Sequence, residues 1–454
     1  MPIVEADLSG GVPVLTELTK ESLRTLRTPR LRAYAERYLG IYADFADAVQ
    51  QTGLAFDPVD HRQEATARRK VLEQKGAVLR NNEYSLYVNR ISPACEACRT
   101  SMGSATFFVS LKCHRKCFYC FNPNQEDYDH FTEARRDVVA ELAQAASESV
   151  QFTHLALTGG EPLLHVEETV AFFQTAKERF PAAHTRLYTS GDHIDDAMLA
   201  RLKAAELDEI RFSVRAIDNE AGRRHTYERI ALAREYVPQV MVETPVLPGT
   251  LEIMKEMLQE LNRLQIFGVN LLEFCYPFAN AEAYRERGYQ VKNPPYRTLY
   301  DYWYAGGLPV SHSELDCLEL LEYMVDEQMT IGGHYCSLEN KHTGQIYQQH
   351  WRQEAPKTVH VSERDFFLKA AKVFGDDVAR VRKTLDRNGF KRYTLNQEHR
   401  CIEFHPDGVA MLSGADVEVA ICTYVVEDRP EGSVLRELKV ELTTPKRFDP
   451  STDL

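Results

Sequence analysis

Cys113-His-Arg-Lys-Cys117-Phe-Tyr-Cys120 places three thiols within one short loop. Three thiolates can hold three irons of a [4Fe–4S] cube, whereas a structural cluster uses four cysteines. The fourth iron is then left for an exchangeable ligand. A zinc knuckle is the competing use of such a run. The three-residue first gap counts against it, as does the lack of a nearby fourth Cys or His in CxxC or HxxxH spacing.

One strand–helix unit later comes Thr158-Gly159-Gly160-Glu161-Pro162. Glycines let the backbone approach a ligand closely, and exposed backbone groups at a strand end can receive an ammonium. The two motifs, in this order, resemble the radical S-adenosylmethionine (SAM) superfamily over roughly residues 105–276. The resemblance implies that the amino and carboxylate groups of SAM chelate the open iron. An electron from the cube then releases a 5′-deoxyadenosyl radical. It implies SAM contacts from Gly159, Gly160 and Glu161, from Ser190 in Tyr188-Thr189-Ser190-Gly191, and from Tyr119 beside the adenine. Ser213 and Arg215, in Arg211-Phe212-Ser213-Val214-Arg215, are the matching pair for the SAM carboxylate. On a strand, Arg211, Ser213 and Arg215 share one face, and a guanidinium suits a carboxylate. Pro245–Gly249 matches, weakly, a segment that touches adenine. A flavodoxin- or ferredoxin-type electron donor is implied as a partner.

The elements that must position these residues are legible as an alternation. Strands are predicted at 106–111, 154–157, 186–189, 209–214, 239–243 and 268–275. Helices over 133–148, 166–179, 195–205, 224–235 and 251–264 separate them. Such βαβ units imply right-handed crossovers and a parallel sheet. Six units do not make the eight of a closed barrel, so the expected fold is α/β, a partial (β/α)6 radical SAM barrel. Ligands gather at strand C-terminal ends in such sheets, where every motif above lies. A mainly helical N-terminal extension is expected over 1–104, the barrel over 105–280, and an α+β C-terminal extension covering it over 281–454. The extensions are expected to hold a helix at 30–51 and a hairpin at 77–88 turning on Asn81-Asn82. Further helices are predicted at 313–325, 363–373 and 377–386, and strands at 329–336, 401–405, 409–412, 417–425 and 434–442.

Cys95-Glu-Ala-Cys98 has the spacing of a half-site for Zn²⁺ or a second cluster. Cys336 ends Gly332-Gly333-His334-Tyr335-Cys336, where His334 and Cys336 share a face of an extended chain. The order of CxxC, cluster loop and late His-Tyr-Cys resembles a group related to pyruvate formate-lyase activases. Cys95, Cys98, Cys336 and His334 are therefore the expected ligands of a structural Zn²⁺, with an auxiliary cluster as the alternative.

Composition narrows the substrate. A net charge of −13 argues against nucleic acid as the main partner, because neutralising phosphates needs a basic surface. No apolar run has the ~18–20 residues of a membrane span, and no signal sequence is visible. Ten cysteines in a chain of this size point to metal binding more than to disulfides, in a reducing, cytoplasmic setting. An acidic chain suits a cationic polyol such as an amino sugar. Length, motif order and C-terminal extension resemble the apramycin-pathway (aminoglycoside) radical SAM 1,2-diol dehydratases. That resemblance implies a lyase acting on a vicinal diol, with Glu243 and Glu273, at or near the fifth and sixth strand ends, as candidate catalytic carboxylates. A separate NADPH-dependent reductase would act on the product, since no G-x-G-x-x-G fingerprint occurs in this chain. The alternative is a radical SAM activase or peptide-modifying enzyme whose substrate is a protein.

Overall fold

Short apolar runs such as His154-Leu-Ala-Leu-Thr158 form strands whose middles are buried on both faces, as a helix-covered parallel sheet demands. The computed structural model describes residues 15–295, 307–352, 355–430 and 432–454. These residues fall into two compact units. One comprises those up to Ala48 and from Ile346 to Leu454, the other those from Val49 to Gln345.

In the 49–345 unit, six parallel strands lie side by side in chain order: Ser104–Phe108, His154–Thr158, His184–Thr189, Glu209–Phe212, Gln239–Val246 and Gly268–Glu273. A seventh, Gly332–Cys336, pairs parallel with the sixth, and the antiparallel hairpin Val78–Arg80/Ser85–Val88 follows it. The nine strands form an open path rather than a ring. Helices between strands bury one stripe each. Leu251–Arg263 buries Met254, Met257, Leu258 and Leu261, a three- and four-residue spacing. Each such side chain contributes about 1.5–3 kcal/mol when fully buried. Asp195 and Asn219 cap helices Asp196–Ala204 and Glu220–Ala233 by accepting from Met198 N at 2.7 Å and Gly222 N at 2.8 Å.

The other unit is an antiparallel sheet in the order Thr16–Glu17, Gly432–Thr443, Val419–Arg429, Leu368–Phe374, Cys401–Phe404, Tyr393–Asn396. Helix Pro29–Gln51 sets Leu31, Tyr34, Ala35 and Tyr38 against Ala370, Phe374 and Tyr424. Helix Asp377–Arg387 packs Val381 and Leu385 against Val373, Ile402 and Phe404.

Three local expectations fail here. The helix predicted over 363–373 is the strand Leu368–Phe374, central in its sheet. Its Leu-Lys-Ala-Ala-Lys-Val-Phe sequence favours helix, but burial of all seven residues overrides that propensity. The strand predicted over 409–412 is the end of the 3₁₀ turn Pro406–Leu412. The hairpin turns on four residues, Asn81 to Tyr84, because Asn81, Asn82 and Glu83 all adopt positive φ.

Candidate active site at the strand ends

The first strand ends at Phe108, and the chain runs through Ser110 and Lys112 into the cysteine loop. Two backbone bonds zip this segment to the glycine motif at the end of the second strand. Gly160 N donates to Ser110 O at 3.0 Å and Glu161 N to Lys112 O at 2.9 Å. A Cβ at position 160 would sit 1.9 Å from Lys112 O, so only glycine fits. Gly159 adopts φ +116°, and its carbonyl accepts from Asn122 Nδ2 at 2.7 Å, just beyond the third cysteine. The glycine pair therefore aligns the cysteine loop against the second strand.

Cys113 is exposed, Cys117 and Cys120 are half-buried, and all three are free thiols. Cys120 N donates to Cys117 O at 3.1 Å, which turns the loop on itself. Arg215 Nη1 lies 3.1 Å from Cys117 Sγ, and its Nε donates to Asp218 at 3.1 Å. Burial pushes the Cys113 and Cys120 thiols up; a bound iron would reverse this by holding them as thiolates. The donor set fits three corners of a cube. The corners of a cube lie apart, so these thiols need not come within reach of one ion.

Glu161 is buried and fully engaged. It accepts from Ser190 N at 2.7 Å, Thr189 Oγ1 at 2.8 Å and Leu163 N at 3.1 Å. It thus ties the second strand end to the third, and Ser190 Oγ donates onward to Asp192 at 3.2 Å. Burial alone would raise the Asp192 carboxyl, but Arg115 and His114, both from the cysteine loop, outweigh it and hold it at about 2. Tyr119 stands edge-on to Phe118 and Phe274, at 5.0 and 5.7 Å between ring centres. The fourth strand ends at Phe212, so the alternating face expected for Arg211, Ser213 and Arg215 does not run to its end. Ser213 is exposed, with its N bonded to Thr189 O at 3.0 Å. Arg215 reaches Cys117 from a turn. Sequence reasoning missed the asparagines that clasp the loop: Asn124 Nδ2 donates to Pro277 O and Asn280 Nδ2 to Phe118 O at 3.0 Å. The signal for Asn124 is the Asn122-Pro-Asn124 turn; Asn280 has no such motif around it.

Beneath the strand ends lies a different arrangement. Arg211, buried, pairs with Glu209, with Glu243 Oε2 at 2.6 Å, and with Ser92 Oγ at 3.1 Å. Glu209 also takes Ser92 Oγ and His184 Nε2 at 3.1 Å. Burial would raise the carboxyls of Glu209 and Glu243, yet Arg211 and their hydrogen-bond donors pull both below the usual range. Asn270 Nδ2 donates to Glu243 Oε2 at 2.7 Å. Both Glu243 bonds fall on one oxygen, and its side chain remains 21% exposed. Glu273 differs: it is 2% exposed, with Lys292 Nζ 3.1 Å from one oxygen and Leu338 N 2.8 Å from the other.

Of the expected zinc ligands, Cys95 Sγ lies 3.3 Å from Arg211 Nη2 and Cys336 Sγ 3.3 Å from Asn340 Nδ2. Burial pushes the Cys336 thiol up to about 12. His334 Nε2 bonds Ser85 Oγ at 2.8 Å, and burial lowers its ring to about 3. Among the described residues these four do not form a group whose ligand atoms all lie within 4.8 Å of one another.

Residues 108–261 match the Radical SAM superfamily. A Methanocaldococcus jannaschii protein named as a glycyl-radical enzyme activating enzyme is 26% identical over 212 residues, covering 45% of this chain and 56% of that one. The chain thus spans little more than half the length of this relative. Among solved structures, SuiB of Streptococcus suis is similar at 11% identity and TM-score 0.38, covering 58% of this chain and 54% of that one. Coproporphyrinogen III oxidase of Escherichia coli is similar at 12% identity and TM-score 0.35, covering 72% and 78%. Likenesses this distant fix neither function nor substrate.

Proposed function

We propose that this chain, with its Radical SAM superfamily region over 108–261, reductively cleaves SAM and abstracts hydrogen from a small polar substrate. One observation carries the reading: three free thiols on a loop zipped to a glycine pair at the strand ends, with Arg215 on the middle thiol. Cys113, Cys117 and Cys120 would hold a [4Fe–4S] cube, which supplies the electron that cleaves SAM. Gly159 and Gly160 would let the backbone approach the SAM ammonium, and Arg215, held by Asp218 and Cys117, would meet its carboxylate. Tyr119 offers a ring beside the adenine, and Ser190 and Ser213 offer hydroxyls at neighbouring strand ends. Glu161 acts by holding two of those ends together. The deciding experiment is incubation of anaerobically reconstituted protein with SAM and dithionite. Formation of 5′-deoxyadenosine supports the reading; its absence from a protein carrying four irons would sink it.

The finer reading is dehydration of a vicinal diol in an amino sugar. Abstraction of hydrogen from a carbinol carbon, then loss of the neighbouring hydroxyl as water, would leave an α-keto radical, which one electron from the external donor and one proton would complete to the ketone. The Glu243 oxygen that takes neither the Arg211 nor the Asn270 bond supports it, since the side chain is 21% exposed and that carboxylate can meet a hydroxyl or ammonium. With Glu273 closed by Lys292 and Leu338, Glu243 is the stronger candidate of the two. A substrate one water heavier than its product, transferring deuterium to 5′-deoxyadenosine without NADPH, is the expected result. The relative's name favours a second reading, an activase acting on a glycyl-radical protein. Stimulation of SAM cleavage by such a protein, and not by amino sugars, would select it. In either case an external one-electron donor is required.

A further inference from the structure

Away from the cysteine loop, Asp57, His61 and His312 bring a carboxylate oxygen and two imidazole nitrogens within 4.8 Å of one another. His61 Nε2 lies 3.3 Å from Asp57 Oδ2, and His312 Nε2 lies 3.5 Å from the same oxygen. The two rings are 4.5 Å apart. His61 Nε2 is nonetheless a buried nitrogen with no hydrogen-bond partner among the described residues. On the other side of the ring, His61 Nδ1 lies 3.4 Å from Glu64 Oε2; with the proton on Nδ1, Nε2 would turn a lone pair to the Asp57 carboxylate. Two electron-rich atoms at that distance call for a cation between them. A carboxylate behind the far nitrogen is how metal-ligating histidines are oriented.

The surroundings are built to hold the three groups. Asp57 is buried; Oδ1 accepts from Val59 N at 2.8 Å, Oδ2 accepts from Ser311 Oγ, and its own N donates to Val291 O at 2.8 Å. His312 adopts φ +68°, a left-handed conformation uncommon outside glycine, and leads into helix Ser313–Asp326. Observed strain of this kind points towards a functional role. Ser313 Oγ donates to Val246 O at 2.8 Å and accepts from Phe274 N at 2.7 Å, which anchors His312 beside the fifth and sixth strand ends.

We propose that Asp57, His61 and His312 form a Zn²⁺ site, with water completing the coordination on the side where His312 is 54% exposed. Two imidazoles and one carboxylate are a zinc donor set that keeps an open position, whereas Ca²⁺ and Mg²⁺ take oxygen ligands. None of the ten cysteines takes part. The site staples the chain ahead of helix Arg62–Gln74 to the start of helix Ser313–Asp326.

The test is titration of the anaerobically reconstituted, iron-loaded protein with Co²⁺, followed by its visible bands and by Zn²⁺ displacement. One Co²⁺ per chain should bind and be displaced by Zn²⁺. His61→Ala, His312→Ala and Asp57→Asn should each weaken binding at least about tenfold, the lower end of losses seen even for supporting residues. Cys95→Ala/Cys98→Ala should bind as the native protein does. Because His312 is exposed, His312→Ala keeps the test open should the buried variants misfold, and melting curves identify misfolding. Native-like Co²⁺ affinity in folded His312→Ala, or no uptake by the native protein, overturns the site and leaves a protonated His–Asp–His ion cluster. Neither result bears on SAM cleavage by the cysteine loop.

Discussion

The strand ends and the layer beneath them are both polar, and they are polar in opposite ways. At the strand ends, the three cysteines form no disulfide, the glycines present no side chain and Ser213 is exposed. Beneath, Arg211 is met by two carboxylates, a hydroxyl and a thiol, and each carboxylate is met again by His184, Ser92 or Asn270. The upper layer keeps its binding capacity for a ligand. The lower layer spends most of its capacity internally, as buried charge must, with one oxygen of Glu243 left over. Polarity alone therefore does not mark a site; polar groups left within reach of a ligand do.

Breaking the upper layer should cost the most function. Replacing any one of Cys113, Cys117 or Cys120 by Ala should abolish 5′-deoxyadenosine formation, measured on folded, reconstituted protein. Retained activity in any one would remove that thiol from the cluster. Gly160→Ala should come next: its Cβ meets Lys112 O, so iron incorporation should fall although every cysteine remains. Full iron content would show that the zip to Ser110 and Lys112 is dispensable. Breaking the lower layer should instead cost stability. Arg211→Met strands Glu209 and Glu243, and a loss of about 3–5 kcal/mol is expected in denaturant unfolding. A near-neutral result would mean that the two carboxylates take up protons instead. Arg215→Ala should weaken SAM binding by about 1.5–3 kcal/mol, the range for a hydrogen bond to a charged group. An unchanged dissociation constant would confine Arg215 to its partners Cys117 and Asp218.

The smallest effect tests whether pairing, rather than burial, separates the layers. Burial, and then Glu319, push the Asp316 carboxyl up to about 6, with Arg68 opposing. Between about 4, its unfolded value, and 6 the native state holds a proton that the unfolded state has released. Stability from this group therefore falls as pH rises through that window. Asp316→Asn should raise the melting temperature at pH 7, with the gain vanishing near pH 4. A gain independent of pH would mean that charge is not its cause.

Six strands and their helices were legible because buried strands and amphipathic helices carry different apolar periods. Helix Val166–Arg179 matches its predicted bounds. The seventh strand's pairing was not legible, since nothing local says that Gly332–Cys336 lies beside Gly268–Glu273. Leu368–Phe374 was misread for a related reason: the sheet around it decides its conformation. At the site, spacing marked the three cysteines and the glycine pair. It did not show that Glu161 is saturated by Ser190, Thr189 and Leu163, because hydrogen-bond occupancy is a property of the folded neighbourhood. Glu243 and Glu273 look alike in sequence and differ only in what surrounds them.

The placement of the seventh strand has a consequence for how the chain is made. Ser85–Val88 emerges early from the ribosome, yet its lasting partner, Gly332–Cys336, is synthesised some 250 residues later, with Ser85 opposite Cys336. Until then the sixth strand and the hairpin each present an unpaired edge, the kind of surface on which nascent chains associate. Completion of the sheet is thus a late, long-range closure, and such closures fold slowly. A chain released before residue 336 would hold every cysteine of the cluster loop and still lack the strand that joins its two edges.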